Sequence, residues 1–209
     1  DCYSTPLLDV VSERLGNAVK FVKILIVSQY FWPESFRINE VVDSLIEAGC
    51  EVTVLTGQPN YPEGKIYPGY RCVGWGLQHG ESRAALYRVP LVPRGAGGGV
   101  KLALNYLSFV LCASILGPWL LRGKSFDVVF VYGISPILQV LPAIILKKLK
   151  HAVLVTWVQD LWPESLEVTG FIKNSWILRA VASLVRWMYR RNDLLLVQSK
   201  GFMPPVKMM

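Results

Sequence analysis

From residue 22 onward the chain alternates short, continuous apolar runs with longer stretches whose apolar residues recur every three to four positions. The run Val-Lys-Ile-Leu-Ile-Val at 22–27 predicts a first strand. A helix pattern over 36–48 follows, with Ile38, Val41, Val42, Leu45 and Ile46 on one face and Gly49 as its stop. A second strand is predicted at 51–56, and further strands at 85–89, 127–131, 152–158 and 194–197. Helical patterns at 101–121, 136–149 and 175–191 separate the later ones.

Strands such as Val128-Val129-Phe130-Val131 are apolar at every position rather than at alternate ones. That is the pattern of a sheet covered by helices on both faces, so the predicted fold is α/β, a Rossmann-like doubly wound parallel sheet. Residues 1–21 are irregular and are expected to be an extension not native to the fold. The domain is expected to run over 22–201, with 202–209 a short tail.

Composition narrows the class. A content of 52% hydrophobic and 18% charged residues in 209 excludes a disordered chain. The charge of +7, from 22 Lys and Arg against 15 Asp and Glu, favours a phosphate-bearing or anionic partner without choosing among them. The four cysteines are scattered and show no C-x-x-C, which suggests neither a zinc site nor a disulfide framework and fits a reducing cytoplasm. The N-terminus lacks the pattern of a signal peptide.

In a doubly wound sheet, ligands bind beyond the carboxyl ends of the strands. The segments expected there are rich in aromatic and amide side chains: 28–34, 57–61, 132–133, 159–164 and 198–199. This mixture suits a sugar, whose C–H faces stack on Trp and Tyr while its hydroxyls need Gln, Asn, Asp and Glu. One pattern, Gln-x-x-Trp-Pro-Glu-Ser, occurs twice, at 29–35 and 159–165. Each copy also has a purely structural reading, since Pro favours the first helical position and Glu complements a helix N-terminus. The first strand-to-helix turn carries no G-x-G-x-x-G, which argues against NAD or FAD, and no Tyr-x-x-x-Lys pair marks a sugar epimerase or reductase.

The segments V-K-I-L-I-V-S-Q-Y-F-W-P-E-S-F-R-I-N, T-G-Q-P-N-Y-P-E-G, Y-R-V-P-L-V-P-R and W-V-Q-D-L-W-P-E-S resemble glycosyltransferase family 4. The likeness runs over residues 22–201 and is nearest to the colanic acid and O-antigen fucosamine transferase type. It implies the N-terminal, acceptor-binding half of a GT-B enzyme, with the nucleotide-sugar held mainly by a C-terminal domain beyond this sequence, and hence a fragment inactive alone. The implied reaction is metal-free, retaining transfer of an N-acetylated amino or deoxy sugar to a lipid-linked glycan. No cofactor is expected in this chain, and no nucleic-acid partner.

The site expected from the residues and the resemblance together comprises Asp160 as a polar contact in the cleft, with Gln29, Trp32, Glu34, Asn39, Asn60, Tyr61, Gln159, Trp162 and Glu164 binding substrate. Family members usually place a His-Asp pair where this chain has Gln159-Asp160. Asn39, Asn60 and Asp160 also have bland readings as helix-surface, turn and capping residues.

Residues 102–121 hold no charge and are long enough to span a bilayer. Asn105, Ser108, Gly117 and Pro118 dilute the run, and Lys101 and Arg122 flank it symmetrically. A core helix, an interfacial helix and a true span all remain open. Leu102, Phe109, Trp119, Arg186, Trp187 and Arg190 are the expected membrane-facing residues, on a protein peripheral to the cytoplasmic side of the inner membrane. A stand-alone module binding a sugar or lipid carrier, serving a separate catalytic subunit, is the alternative.

Overall fold

A computed structural model of the chain describes residues 22–78, 82–96, 98–162, 164 and 174–208. The expected extension, 1–21, lies outside them. Seven strands form one sheet: β1 (Lys23–Val27), β2 (Glu51–Gly57), β3 (Gly76–Gln78), β4 (Ala85–Val89), β5 (Val128–Gly133), β6 (Val153–Val158) and β7 (Leu194–Val197). Their order is β3-β4-β2-β1-β5-β6-β7, parallel except for β3, which pairs antiparallel with β4. The six predicted strands are all present. The seventh, β3, is a three-residue Gly-Leu-Gln edge with no periodicity to betray it.

Helices α1 (Ile38–Glu47), α2 (Gly99–Leu120), α3 (Val140–Lys150) and α4 (Ser175–Tyr189) cover the two faces unequally. On one face α1 buries Ile38, Val41, Val42 and Leu45 against Ile24, Ile26, Val54 and Phe130. On the other, α2, α3 and α4 enclose Leu25, Val27, Leu55, Val129 and Leu154. Alternate residues of β1 thus enter opposite cores, which is why its sequence is apolar without alternation.

The helix ends follow local chemistry. Gly49, with φ 88°, lets Cys50 N–H return to Leu45 O and close α1. Lys150, in the last turn of α3, donates at 2.7 Å to Leu121 O at the end of α2, so its cation meets the negative end of the neighbouring helix. Lys147 bridges to Asp193 at 2.7 Å and ties α3 to the start of β7. Beyond β7 the chain forms a 3-10 turn, Lys200–Phe202, and a short helix α5 (Met203–Met208), with Phe202 and Val206 packed on the core.

Candidate functional site

The chain crosses from β1 to β2 in one direction and places β5 on the other side of β1, so the topological switch point lies between β1 and β5. The buried side chain of Gln139 plugs this crevice. Its Oε1 accepts from Gln29 N–H at 2.9 Å, and its Nε2 donates to Tyr132 O at 2.6 Å and Ile134 O at 3.1 Å. The loops after β1 and β5 are thereby joined.

The loop after β1 is held by its own expected site residues. Glu34 is 1% exposed. Its Oε1 accepts from the backbone N–H of Asn60 at 2.8 Å and of Tyr61 at 2.7 Å, and its Oε2 from Phe31 N–H at 3.3 Å. Burial pushes this carboxyl up to about 7, against the lowering effect of those amides and of Arg88. Asn39 accepts from Trp32 N–H at 3.1 Å and donates to Glu34 O at 2.8 Å. Glu34 and Asn39 therefore shape the loop, and Trp32 is left 44% exposed on its rim.

A second layer of amides runs beneath. Gln29 Nε2 donates to Asn105 Oδ1 at 2.7 Å, and Asn105 Nδ2 donates to Val92 O at 2.6 Å and to Asn60 Oδ1 at 3.3 Å. Asn60 Oδ1 also accepts from Arg94 N–H at 3.1 Å. All three amide side chains are buried, and Gln29 Oε1 is the acceptor without a partner. Asn105, the polar residue in the middle of an uncharged helix, thus links α2 to the loops after β1, β2 and β4.

Across the switch point, Asp160 Oδ2 accepts from Ser135 N–H at 2.9 Å and Ser135 O–H at 2.8 Å. Trp162 Nε1 donates to Ser135 Oγ at 3.2 Å and its ring enters the core. Gln198 Nε2 donates to Gln159 O at 3.2 Å and also to Gln159 Oε1. Glu164 is exposed, while Pro163 and Ser165 lie outside the described residues. Among the described residues no three His, Cys, Asp or Glu side chains gather into a metal-binding group.

Besides Gln139, Asn105 and Ser135, three more residues absent from the expected site help to build it. Arg88 is buried, donates to Gly57 O at 2.6 Å and to Trp32 O, and stacks on Tyr70 at 5.0 Å. Arg94 lies over the Tyr61 ring at 5.0 Å. Burial pushes up the Tyr106 hydroxyl, Arg94 opposes this, and the charge of Asp160 adds to it. Tyr106 consequently sits within electrostatic reach of both halves of the edge. Arg88 and Arg94 lie in the Y-R-V-P-L-V-P-R segment that carries the resemblance, and Tyr106 shows only as a polar residue inside an apolar run.

Helix α2 has two apolar faces. Asn105, Phe109, Ala113 and Gly117, four apart, are buried against the sheet and α3. Phe109, expected to face a membrane, is fully buried, because it shares that inner stripe and packs beside Gly57. Leu102 is half-buried. The outward stripe is Leu104, Leu107, Leu111, Ile115 and Trp119, all exposed. Trp119 meets the exposed Trp75 at 5.0 Å, with the Arg122 guanidinium 4.5 Å from its ring centre. On α4, Arg186, Trp187 and Arg190 are exposed, and Arg191 stacks on Trp187 at 4.7 Å. Among the described residues α2 is the one helix long and apolar enough to cross a membrane, with mean hydropathy 1.7.

The candidate site thus lies at the strand edge of a doubly wound α/β sheet and is built from amides, aromatics and single carboxylates. The family model for the glycosyl transferase 4-like domain matches residues 35–204, and the chain belongs to that family. No curated protein matches the chain in a sequence comparison.

Proposed function

We propose that the chain is the acceptor-binding part of a retaining glycosyltransferase. It works with a nucleotide-sugar donor, held by a second α/β domain, and passes an N-acetylated amino or deoxy sugar to a lipid-linked glycan at the cytoplasmic face of the inner membrane. The colanic acid and O-antigen fucosamine transferases remain the type its motifs suggest. The observation that carries the reading is the double role of α2. Its inner side brings Asn105 to the amide network of the site, and its outer side offers five large apolar residues to the surroundings. An acceptor with a glycan at one end and a lipid at the other needs both surfaces on one element.

In this reading Trp32 and Tyr61 stack on the acceptor sugar at the rim, and Asp160 with Gln159 fixes its hydroxyls from the far side of the switch point. The test is flotation of the full chain with vesicles of phosphatidylethanolamine and phosphatidylglycerol. The wild type is expected to float. Leu107→Asp with Leu111→Asp is expected to lower vesicle binding at least about tenfold, since each charge enters an apolar layer. A wild-type chain that stays in the aqueous fraction sinks the membrane part of the proposal.

A further inference from the structure

The loop between β4 and α2 reads Val92-Pro93-Arg94-Gly95-Ala96-Gly97-Gly98-Gly99-Val100-Lys101, with a cation on each side of its glycines. Arg94 is rooted at its backbone, through the N–H bond to Asn60 Oδ1, in the buried amide network. Its guanidinium lies 5.0 Å from the centre of the Tyr61 ring, which fixes its plane by cation–π contact and uses none of its N–H groups. Its positive charge also acts on the hydroxyl of the half-buried Tyr106. No ion pair to Arg94 occurs among the described residues.

The second cation is brought close by glycine. Gly95 has φ 68°, and a Cβ there would lie 2.8 Å from Lys101 Cδ and 3.5 Å from Lys101 Nζ. The Lys101 stem therefore runs across the backbone immediately after Arg94, in space that a side chain at 95 would take. A neighbouring tie holds the loop in place, since Gly95 N–H donates to Gly64 O at 2.9 Å. The first turn of α2 carries no acidic side chain to neutralise either cation. Two cations and the half-buried Tyr106, with no ion-paired carboxylate among the described residues, form a surface for a doubly charged oxyanion.

We propose that Arg94 and Lys101, with the Tyr106 hydroxyl, bind the phosphate or diphosphate ester of the acceptor. This rests on the acceptor reading above and supplies what that reading lacks, the group that fixes the lipid-linked end of the acceptor while Trp32 and Tyr61 take the sugar. The guanidinium fork donates to two phosphate oxygens, Lys101 neutralises the second charge, and the Tyr106 hydroxyl donates to the remaining oxygen. Outward of this rim α2 continues as the apolar stripe of Leu104, Leu107 and Leu111, where the lipid chain would leave the phosphate.

The test titrates the full chain calorimetrically with decyl phosphate below its micellar concentration, with decanol, and with uridine diphosphate. Decyl phosphate is expected to bind the wild type. Arg94→Ala and Lys101→Ala are each expected to weaken it about tenfold or more, as for loss of one charge-assisted contact, and Arg94→Lys to keep part of the affinity. Decanol binding should not change among these variants, and their melting curves should overlay that of the wild type. Decyl phosphate that binds Arg94→Ala and wild type equally overturns the site. Uridine diphosphate bound more tightly than decyl phosphate, in an Arg94-dependent way, overturns its assignment to the acceptor. Loss of the phosphate effect with vesicle flotation intact refutes only the anion site. Loss of flotation with the phosphate effect intact refutes only the membrane reading.

Discussion

The two copies of Gln-x-x-Trp-Pro-Glu-Ser each follow a parallel strand of the same sheet, yet they sort their residues between core and surface in opposite ways. After β1, Gln29 and Glu34 are buried and Trp32 is 44% exposed. After β6, Trp162 is 6% exposed, Glu164 lies at the surface and Gln159 is half-buried. The neighbours explain the inversion. In the first copy Phe31 takes the core position, on the α1 face, and frees Trp32 for the rim. In the second the residue before the tryptophan is the half-buried Leu161, and Trp162 itself fills the core on the face of α2, α3 and α4. The carboxylates follow suit. Glu34 meets three backbone amides from two loops, whereas Glu164 is exposed. Short motifs at equivalent places in a fold thus carry position, and the packing partner assigns the role.

The sharpest way to break this comparison is to remove each tryptophan. Trp162→Ala is expected to destabilise the chain by about 3–5 kcal/mol, the usual cost of emptying a large aromatic site in a core. Trp32→Ala is expected to cost no more than about 1 kcal/mol, as for a residue half in solvent, while weakening sugar-acceptor binding. Chemical denaturation of the two variants side by side reads the difference. Equal losses would mean that the two loops are not inverted after all.

The carboxylates come next. Glu34→Ala leaves the amides of Phe31, Asn60 and Tyr61 without their acceptor and is expected to cost about 2–3 kcal/mol. Glu164→Ala should stay within about 0.5 kcal/mol of the wild type. The pH dependence sharpens the contrast further. A carboxyl raised from its ordinary 4.5 to about 7 holds its proton in the folded chain where the unfolded chain has lost it. Stability from Glu34 is therefore full below about 4.5, falls as pH rises to about 7 and is level beyond, a change on the order of 3 kcal/mol at most. Glu34→Gln should flatten that slope in urea melts taken between these pH values, and Glu164→Gln should leave it unaltered. A wild type whose stability rises over the same range would refute the buried-acid account.

A third test concerns the cross-link that positions the second copy. Asp160→Ala removes the acceptor for both Ser135 donors and is expected to cost about 1–2 kcal/mol. Amide exchange at Ser135 should accelerate in the same variant, with the amide of Gln29, which is held by Gln139, unchanged. Acceleration at both would mean that the two halves of the edge are one cooperative unit.

Much of the fold was legible because continuous apolar runs and 3.6-residue periodicity are imposed by burial on both sheet faces, and those patterns survive in one dimension. The strands at 22–27 and 51–56 and the stop at Gly49 were read within a residue or two. Edge strand β3 was not, since it is three residues long and its pairing with β4 depends on a chain segment folding back. The candidate residues were legible by address, as those following strands. Their roles were less so: Glu34 and Asn39 turned inward to hold backbone, Phe109 joined the core, Arg88, Tyr106 and Gln139 entered from elements read as apolar, and Arg94 from the loop between β4 and α2. A side chain's partners lie tens of residues away, as with Gln29 and Gln139, and no local pattern records them.

By itself the sequence determined that this chain is a doubly wound α/β domain of the glycosyl transferase 4-like family. Hydrophobic periodicity and motif order are properties of the chain read in line. The tertiary structure alone decided which tryptophan stands at the rim, which glutamate is a clamp, and which side of α2 is left apolar and uncovered. Those outcomes depend on long-range contacts, where the desolvation of a buried polar group must be matched by a partner from a distant part of the chain.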